Sequence, residues 1–332
     1  MNQQASNREL GNFVMTDDAG QEEKGQLQHQ SVMLVEAVDA LNIEPAGIYI
    51  DGTFGRGGHA ASILSRLNDD GRLLVLDKDP EAIAEAQKRF SGDPRLIAVQ
   101  TSFAEVYSVA SENGLLGKVN GLLLDLGVSS PQLDDPARGF SFRADGPLDM
   151  RMNPDVGQSA AEWLASASAQ EISKVLREYG EERFSNRIAN AIVNSRQESP
   201  ILTTKALSEL IARVVPSREK HKDPATRTFQ ALRIFVNQEL EDIHRCFNHV
   251  LEVLAPGGRL VVISFHSLED RIAKRFIRDQ VRGEKLPAKL PVVDAMVKGK
   301  MKKIGKAQKP SEVEVRSNPR ARSAVLRVAE KI

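Results

Sequence analysis

Between residues 31 and 132, short apolar runs alternate with helical segments, and that rhythm leaves few folds open. The apolar runs are Gly47–Asp51 (GIYID), Arg72–Asp77 (RLLVLD), Arg95–Gln100 and Val119–Asp125 (VNGLLLD). Val32–Leu41, Ala60–Leu67 and Pro80–Phe90 carry helical spacing, the last opened by an Asp79-Pro80 start signal. Apolar strands separated by helices predict an α/β fold, a doubly wound, Rossmann-like parallel sheet covered on both faces. The rhythm then breaks. Asp134–Met152 (DDPARGFSFRADGPLDMRM) reads as loop, followed by helical stretches at Ser159–Tyr179, Glu181–Gln197, Thr203–Val215 and Ala225–Leu254. Roughly a hundred residues without a strand do not belong inside a βαβ repeat. Strands resume at Arg259–Ser264 (RLVVIS) and Ser323–Val328. We therefore expect an all-helical domain at 133–240, inserted into a sheet domain built from 29–132 and 241–332. Such an insertion leaves from the carboxyl end of a strand, the edge where open α/β sheets bind ligands. Residues 1–28 are polar without an apolar period and are expected to form a disordered extension.

Composition narrows the function. A single cysteine, Cys246, excludes a disulfide framework and an all-cysteine zinc site, and a buried thiol is expected. The six histidines are scattered without ligand spacing, so no metal is expected. No apolar run approaches the ~18 residues of a membrane span, and the polar amino terminus lacks a secretory h-region. A cytoplasmic location is expected. Net charge is zero but unevenly spread: Ser31–Met150 holds 10 Lys/Arg against 18 Asp/Glu, and Arg271–Ile332 holds 18 against 6. A basic carboxyl quarter suits a polyanion, nucleic acid first, or is a solubilising tail.

The turn after the first strand, Asp51–His59 (DGTFGRGGH), opens a helix. Glycines there let backbone approach a ligand, and the helix amino terminus offers free N–H groups. Gly55-x-Gly57-x-x-Ala60 with Asp77, 20 residues past Gly57, fits a dinucleotide fingerprint. That spacing alone leaves NAD and S-adenosylmethionine (SAM) both open, since each has a ribose suited to a carboxylate at the end of strand two. Three features favour SAM. Asp51 would sit near a cationic sulfonium and amino group but would repel a pyrophosphate. Asp125 ends strand four with another acid, and Leu254–Leu260 (LAPGGRL) is a turn common before the fifth strand of SAM-dependent methyltransferases.

Longer blocks are more specific. His29–Leu34 (HQSVML), Asp51–His59, Leu123–Asp134 (LLDLGVSSPQLD) and Gly139–Met152 (GFSFRADGPLDMRM) occur in order. They continue as Ala225–Leu240 (ATRTFQALRIFVNQEL), Ile263–Arg271 (ISFHSLEDR) and Asn318–Leu326 (NPRARSAVL). On these blocks the chain resembles the ribosomal RNA small subunit methyltransferase H family, also called MraW, from His29 nearly to its end. The resemblance implies a SAM-dependent enzyme that methylates N4 of one cytidine in the decoding centre of 16S ribosomal RNA. It implies SAM contacts at Gly57, Gly58, His59, Asp77, Phe103, Asp125 and Gln132. Of these, His59, Phe103 and Gln132 rest on the resemblance alone. The expected partner is 16S ribosomal RNA within the small ribosomal subunit.

The amine of cytosine is a poor nucleophile because its lone pair is delocalised into the ring. Catalysis must hold the unstacked base in line and accept the amine protons. Asp125 and the Ser129-Ser130-Pro131 turn occupy the place for that acceptor, and Phe140 or Phe142 are candidates to stack on the base. Asp149 either lines the acceptor pocket or fixes its loop by pairing with Arg151. His266 either moves a proton and orients the base or serves as a hydrogen-bonded scaffold. Glu269 and Asp270 read as helix-start acids. The basic loop Ser217–Arg227 suits phosphate contact or is a solvated turn. Two rival functions, a nicotinamide dehydrogenase and a non-catalytic RNA-binding protein, leave respectively the basic quarter and the intact glycine turn unexplained.

Overall fold

The fold is taken from a computed structural model that describes residues 31–215, 223–283 and 299–332. The extension 1–28 and most of the basic loop 217–227 lie outside the described residues. Seven strands form one sheet in the order β3-β2-β1-β4-β5-β7-β6. They are β1 (Ile48–Asp51), β2 (Arg72–Asp77), β3 (Leu96–Gln100), β4 (Val119–Asp125), β5 (Leu254–Ser264), β6 (Met301–Gln308) and β7 (Val325–Lys331). The first five run parallel, and β7 lies antiparallel between β5 and β6. The expected doubly wound sheet is therefore present.

Both faces of the sheet are covered, which explains why its central strands β1, β2 and β4 are apolar throughout. Leu73, Val75, Leu123 and Val261 face one core with α1 (Leu34–Ala40) and α2 (Gly58–Leu64). Leu74, Leu76, Leu122 and Val262 face the other, with α4 (Val106–Glu112), α11 (Glu239–Val253) and α12 (Ser267–Arg282). α3 (Pro80–Arg89) starts at Asp79, whose side chain accepts the Glu81 N–H at 3.0 Å. Short α5 (Ser130–Asp134) follows β4, and α13 (Glu312–Ser317) precedes β7.

The segment between β4 and β5 holds a third core of its own. Leu164, Leu176, Ile188, Ile192, Ile211 and Leu232 meet there. They come from α6 (Ala160–Ser166), α7 (Ala169–Gly180), α8 (Ser185–Glu198), α9 (Thr204–Val214) and α10 (Thr226–Asn237).

Two long helical stretches read from the sequence are each divided. Ser159 and Ser168 both build capping boxes, with Glu162 and Glu171, so Ser159–Tyr179 is two helices. Ala225–Leu254 breaks at Gln238, which adopts a left-handed φ of 53°. Strand β6 carries no readable period: only Met301 is buried, and its lysines point outward from the sheet edge. Cys246 is buried and not in a disulfide, and burial pushes its thiol up. Among the described residues no helix is long and apolar enough to cross a membrane.

Candidate active site

Strands β1 and β4 are neighbours whose connections leave in opposite directions, so a crevice opens beyond their carboxyl ends. A cavity of about 400 Å³ occupies it. Its walls come from the turn after β1, the ends of β2 and β4, Phe103, and, from beyond the sheet, Arg233 and Glu239.

An aspartate ends each of the three strands. The Asp77 carboxylate accepts the N–H of Gly55 at 2.8 Å and of Asp79 at 2.9 Å. It thereby pins the glycine turn to β2. Burial raises its pKa to about 6. Asp51 lies fully buried beneath the floor, with one oxygen accepting the Thr53 N–H at 3.1 Å. Its other oxygen has no partner among the described residues, and burial, with the charge of Asp77 adding, raises its pKa to about 7. Asp125 is tied by its backbone N–H to the Thr53 hydroxyl at 2.6 Å. Its Oδ1 is also unpartnered, and burial, with the charges of Asp51 and Glu269, pushes its pKa well above the usual carboxylate range. A buried acidic floor with orphaned oxygens is stabilised by a cationic, hydrogen-bond-donating ligand and opposes an anionic one.

The glycine turn is shaped by close approach. Gly57 has φ 72°, and a Cβ there would lie 2.5 Å from the Phe54 ring. A Cβ on Gly58 would come within 2.0 Å of the Ser31 hydroxyl. Neither glycine lines the cavity; Gly52, Gly55 and His59 do. His59 is buried, and burial lowers its pKa to about 4, so the ring is neutral. Its Nε2 donates to the Val32 carbonyl at 3.2 Å, leaving Nδ1 3.8 Å from Asp125. Phe103 stands on the cavity wall after β3. Gln132 also reaches the cavity, accepting the Ser129 N–H and donating to Asp79 at 2.8 Å.

Asp149, Phe140 and Phe142 do not join this group. Asp149 is paired with Arg151 at 2.7 Å and fixes its own loop, the second of the two roles expected for it. Phe140 is buried in the insertion core, and Phe142 packs edge-on against Phe229 with ring centroids 4.8 Å apart. The insertion needs both rings for its core, so neither is placed to stack on a base in the cavity. His266 caps α12 behind the cavity wall, with Nε2 3.0 Å from Glu269.

Four residues that sequence reasoning did not assign to the cavity also reach it: Arg233, Glu239, Phe265 and Glu269. Arg233 grips both oxygens of Glu239, at 2.8 and 3.0 Å. That grip occupies the Glu239 oxygens, so the cluster of Glu239, His266 and Glu269 is an ion-pair network, although its ligand atoms lie within 4.8 Å of one another. All four residues fall inside the sequence blocks quoted above. Phe265 and Glu269 follow β5 closely, Glu239 opens α11, and Arg233 lies within α10 without a local signal.

The MraW methylase family profile matches residues 26–332. The ribosomal RNA small subunit methyltransferase H of Thioalkalivibrio sulfidiphilus is 58% identical over 305 residues, covering 92% of this chain and 97% of that protein. The protein of the same name from Shewanella denitrificans is 54% identical over 306 residues, with the same coverage. Among solved structures, an rRNA methylase from Streptococcus thermophilus is 10% identical, covers 90% of this chain and 95% of its own, and superposes with a TM-score of 0.40. That last likeness is too low to carry an argument. With a profile spanning nearly its whole length and relatives this similar, the chain belongs to the MraW methylase family.

Proposed function

We propose that the chain transfers the methyl group of SAM to the N4 amine of a single cytidine in the decoding centre, the P-site region, of 16S ribosomal RNA. The reaction takes place on the small ribosomal subunit in the cytoplasm. The names of the two relatives support a small-subunit ribosomal RNA target. The observation that carries the reading is the buried acid at and beneath the floor of the β1/β4 crevice, where Asp125 and Asp51 each hold an oxygen unpartnered among the described residues.

SAM fits these residues: it is a cation with an ammonium group and ribose hydroxyls to donate. NAD would bring a pyrophosphate against the same acids. When bound, SAM supplies an electrophilic methyl group on a cationic sulfur. Asp77 accepts ribose hydroxyls, the turn Gly52–Gly55 gives backbone access, and Phe103 walls the apolar end. Asp125 and the Asp51 charge beneath it favour the cation. The insertion, 133–240, serves the RNA: it has a core of its own, and its Met152, Arg233 and Glu239 line the cavity.

The carboxyls make cofactor binding pH-dependent. Asp51 and Asp77 titrate near 7 and 6 in the folded chain, against roughly 3.9 when unfolded. The folded state therefore binds protons more readily than the unfolded one. The contribution of these groups to stability is fully present below about pH 4 and is lost as pH rises through about 6 to 7. A bound cation favours their ionised forms. The rise in melting temperature produced by saturating SAM should grow from pH 5.5 to pH 8; a flat profile would place the cation away from these acids.

Methyl transfer is tested with labelled SAM. Small subunits from a strain lacking this gene should accept label, and large subunits should not. Label on protein, or none despite bound SAM, would overturn the proposal.

A further inference from the structure

Gly127, two residues past Asp125, has φ 95° and leaves a small space in the wall of the cavity. A Cβ on Gly127 would lie 3.8 Å from Glu269 Oε1, 3.9 Å from Arg233 Nη2 and 3.9 Å from Phe265 Cδ2. Three side chains from two distant segments thus face one point: a carboxylate oxygen, a guanidinium nitrogen and an aromatic carbon.

Each polar group is held from behind. Glu269 Oε2 accepts the N–H of Phe265 at 2.8 Å and of His266 at 3.2 Å, which leaves Oε1 toward the cavity, beside His266 Nε2 at 3.0 Å. Burial pushes this carboxyl up, but the hydrogen bond and charge of His266, the charge of Arg233 and the Phe265 N–H outweigh it and hold the group below its usual value. It is the ionised acid of the site, where Asp125 is raised. Arg233 spends two of its five N–H donors on Glu239, and among the described residues three remain. The guanidinium is thus locked in place with donors to spare.

We propose that Glu269 and Arg233 together read the pairing edge of the target base, Glu269 Oε1 accepting from the N4 amine and Arg233 donating to N3 and O2. This assignment rests on the cytosine reading above and deepens it. Cytosine presents a donor beside two acceptors along that edge, and a fixed carboxylate beside a fixed guanidinium is its complement. Uracil presents O4 to the carboxylate and N3–H to the guanidinium, so both contacts become repulsive. A site built around buried polar groups rejects an analogue that leaves them unpaired. Phe265 closes the apolar side of the same space. Glu269 Oε1 accepts the one amine proton on the pairing edge; as the N4–methyl bond forms and the methyl–sulfur bond breaks, S-adenosylhomocysteine leaves and that proton passes to Glu269.

The test uses the full chain saturated with S-adenosylhomocysteine and a short single-stranded RNA carrying one cytidine, against the same RNA carrying uridine. The unaltered protein should prefer the cytidine RNA by roughly 5- to 150-fold, the range for one well-formed bidentate contact. Glu269→Gln offers an N–H to uracil O4 and should collapse that ratio. Arg233→Lys keeps the charge but loses the fork, and should weaken the cytidine RNA alone. If Glu269→Gln does not fold, Arg233→Lys decides. Equal binding of both RNAs by the unaltered protein, or an unchanged ratio in the folded variants, overturns the assignment. If the unaltered protein methylates cytosine N4 while the ratios stay fixed, only this assignment fails. Methyl found on another base overturns the cytosine reading itself, and this assignment with it.

Discussion

Asp77→Ala should weaken SAM binding by roughly 10- to 150-fold, equivalent to about 1.5–3 kcal/mol for a lost charge-assisted hydrogen bond. Two effects combine in that loss. The ribose hydroxyls lose their acceptor, and the N–H groups of Gly55 and Asp79 lose the carboxylate that orders the turn. Asp77→Asn separates them, because an amide oxygen can still accept one of those N–H groups while the charge is gone. It should therefore fall between the alanine variant and the unaltered protein. Titration calorimetry with SAM measures both, and unchanged affinity in Asp77→Ala would put the ribose elsewhere in the cavity.

Arg138→Met should destabilise the protein by about 3–5 kcal/mol, the usual result of removing one partner from a buried ion pair. Arg138 is buried and donates to Asp79 at 2.9 Å and to the carbonyls of Arg151 and Met152 at 3.2 and 2.8 Å. It joins the amino terminus of α3 to the loops that begin the insertion. The loss should sit near the lower end, because Gln132 and the Glu81 N–H still serve Asp79. A matched change at the surface supplies the scale. Arg66 pairs with Asp39 at 2.7 Å, but both side chains are exposed, so Arg66→Met should cost under about 1 kcal/mol. Denaturant unfolding distinguishes the two, and equal losses would mean that the buried joint does not hold the insertion to the sheet.

The sheet was legible because strands buried on both faces are apolar throughout, as in RLLVLD of β2 and LLLD at the end of β4. Strand β6 escaped for the opposite reason: at the sheet edge, lysines take the positions that a central strand would fill with valine or leucine. The break between α6 and α7 was written in two Ser-x-x-Glu caps and could have been read. The break at Gln238 had no such mark, since glutamine is not a residue that favours left-handed backbone. It is set from a distance, by Asn237 accepting the Met152 N–H and donating to the Met150 carbonyl, each at 2.7 Å.

The same division runs through the site. Asp77 and Asp125 could be placed because they end apolar strands, and His59 only through the family resemblance. Arg233, Glu239 and Glu269 could not, because they meet only when α10, α11 and α12 pack above β4 and β5. A pattern along the chain carries no sign of that meeting. Phe140 and Phe142 were candidates for the base because the turn after strand four offers no aromatic of its own. Packing gives them to the insertion core instead, and the aromatics on the cavity are Phe54, Phe103 and Phe265.

The product should be a methyl group on the exocyclic amine of one cytidine. Small subunits from a strain lacking the gene, incubated with the purified protein and SAM, should yield N4-methylcytidine at a single position when their 16S ribosomal RNA is digested and analysed by mass spectrometry. Methyl on C5 or on a ribose hydroxyl, or N4-methylcytidine scattered over many positions, would contradict it.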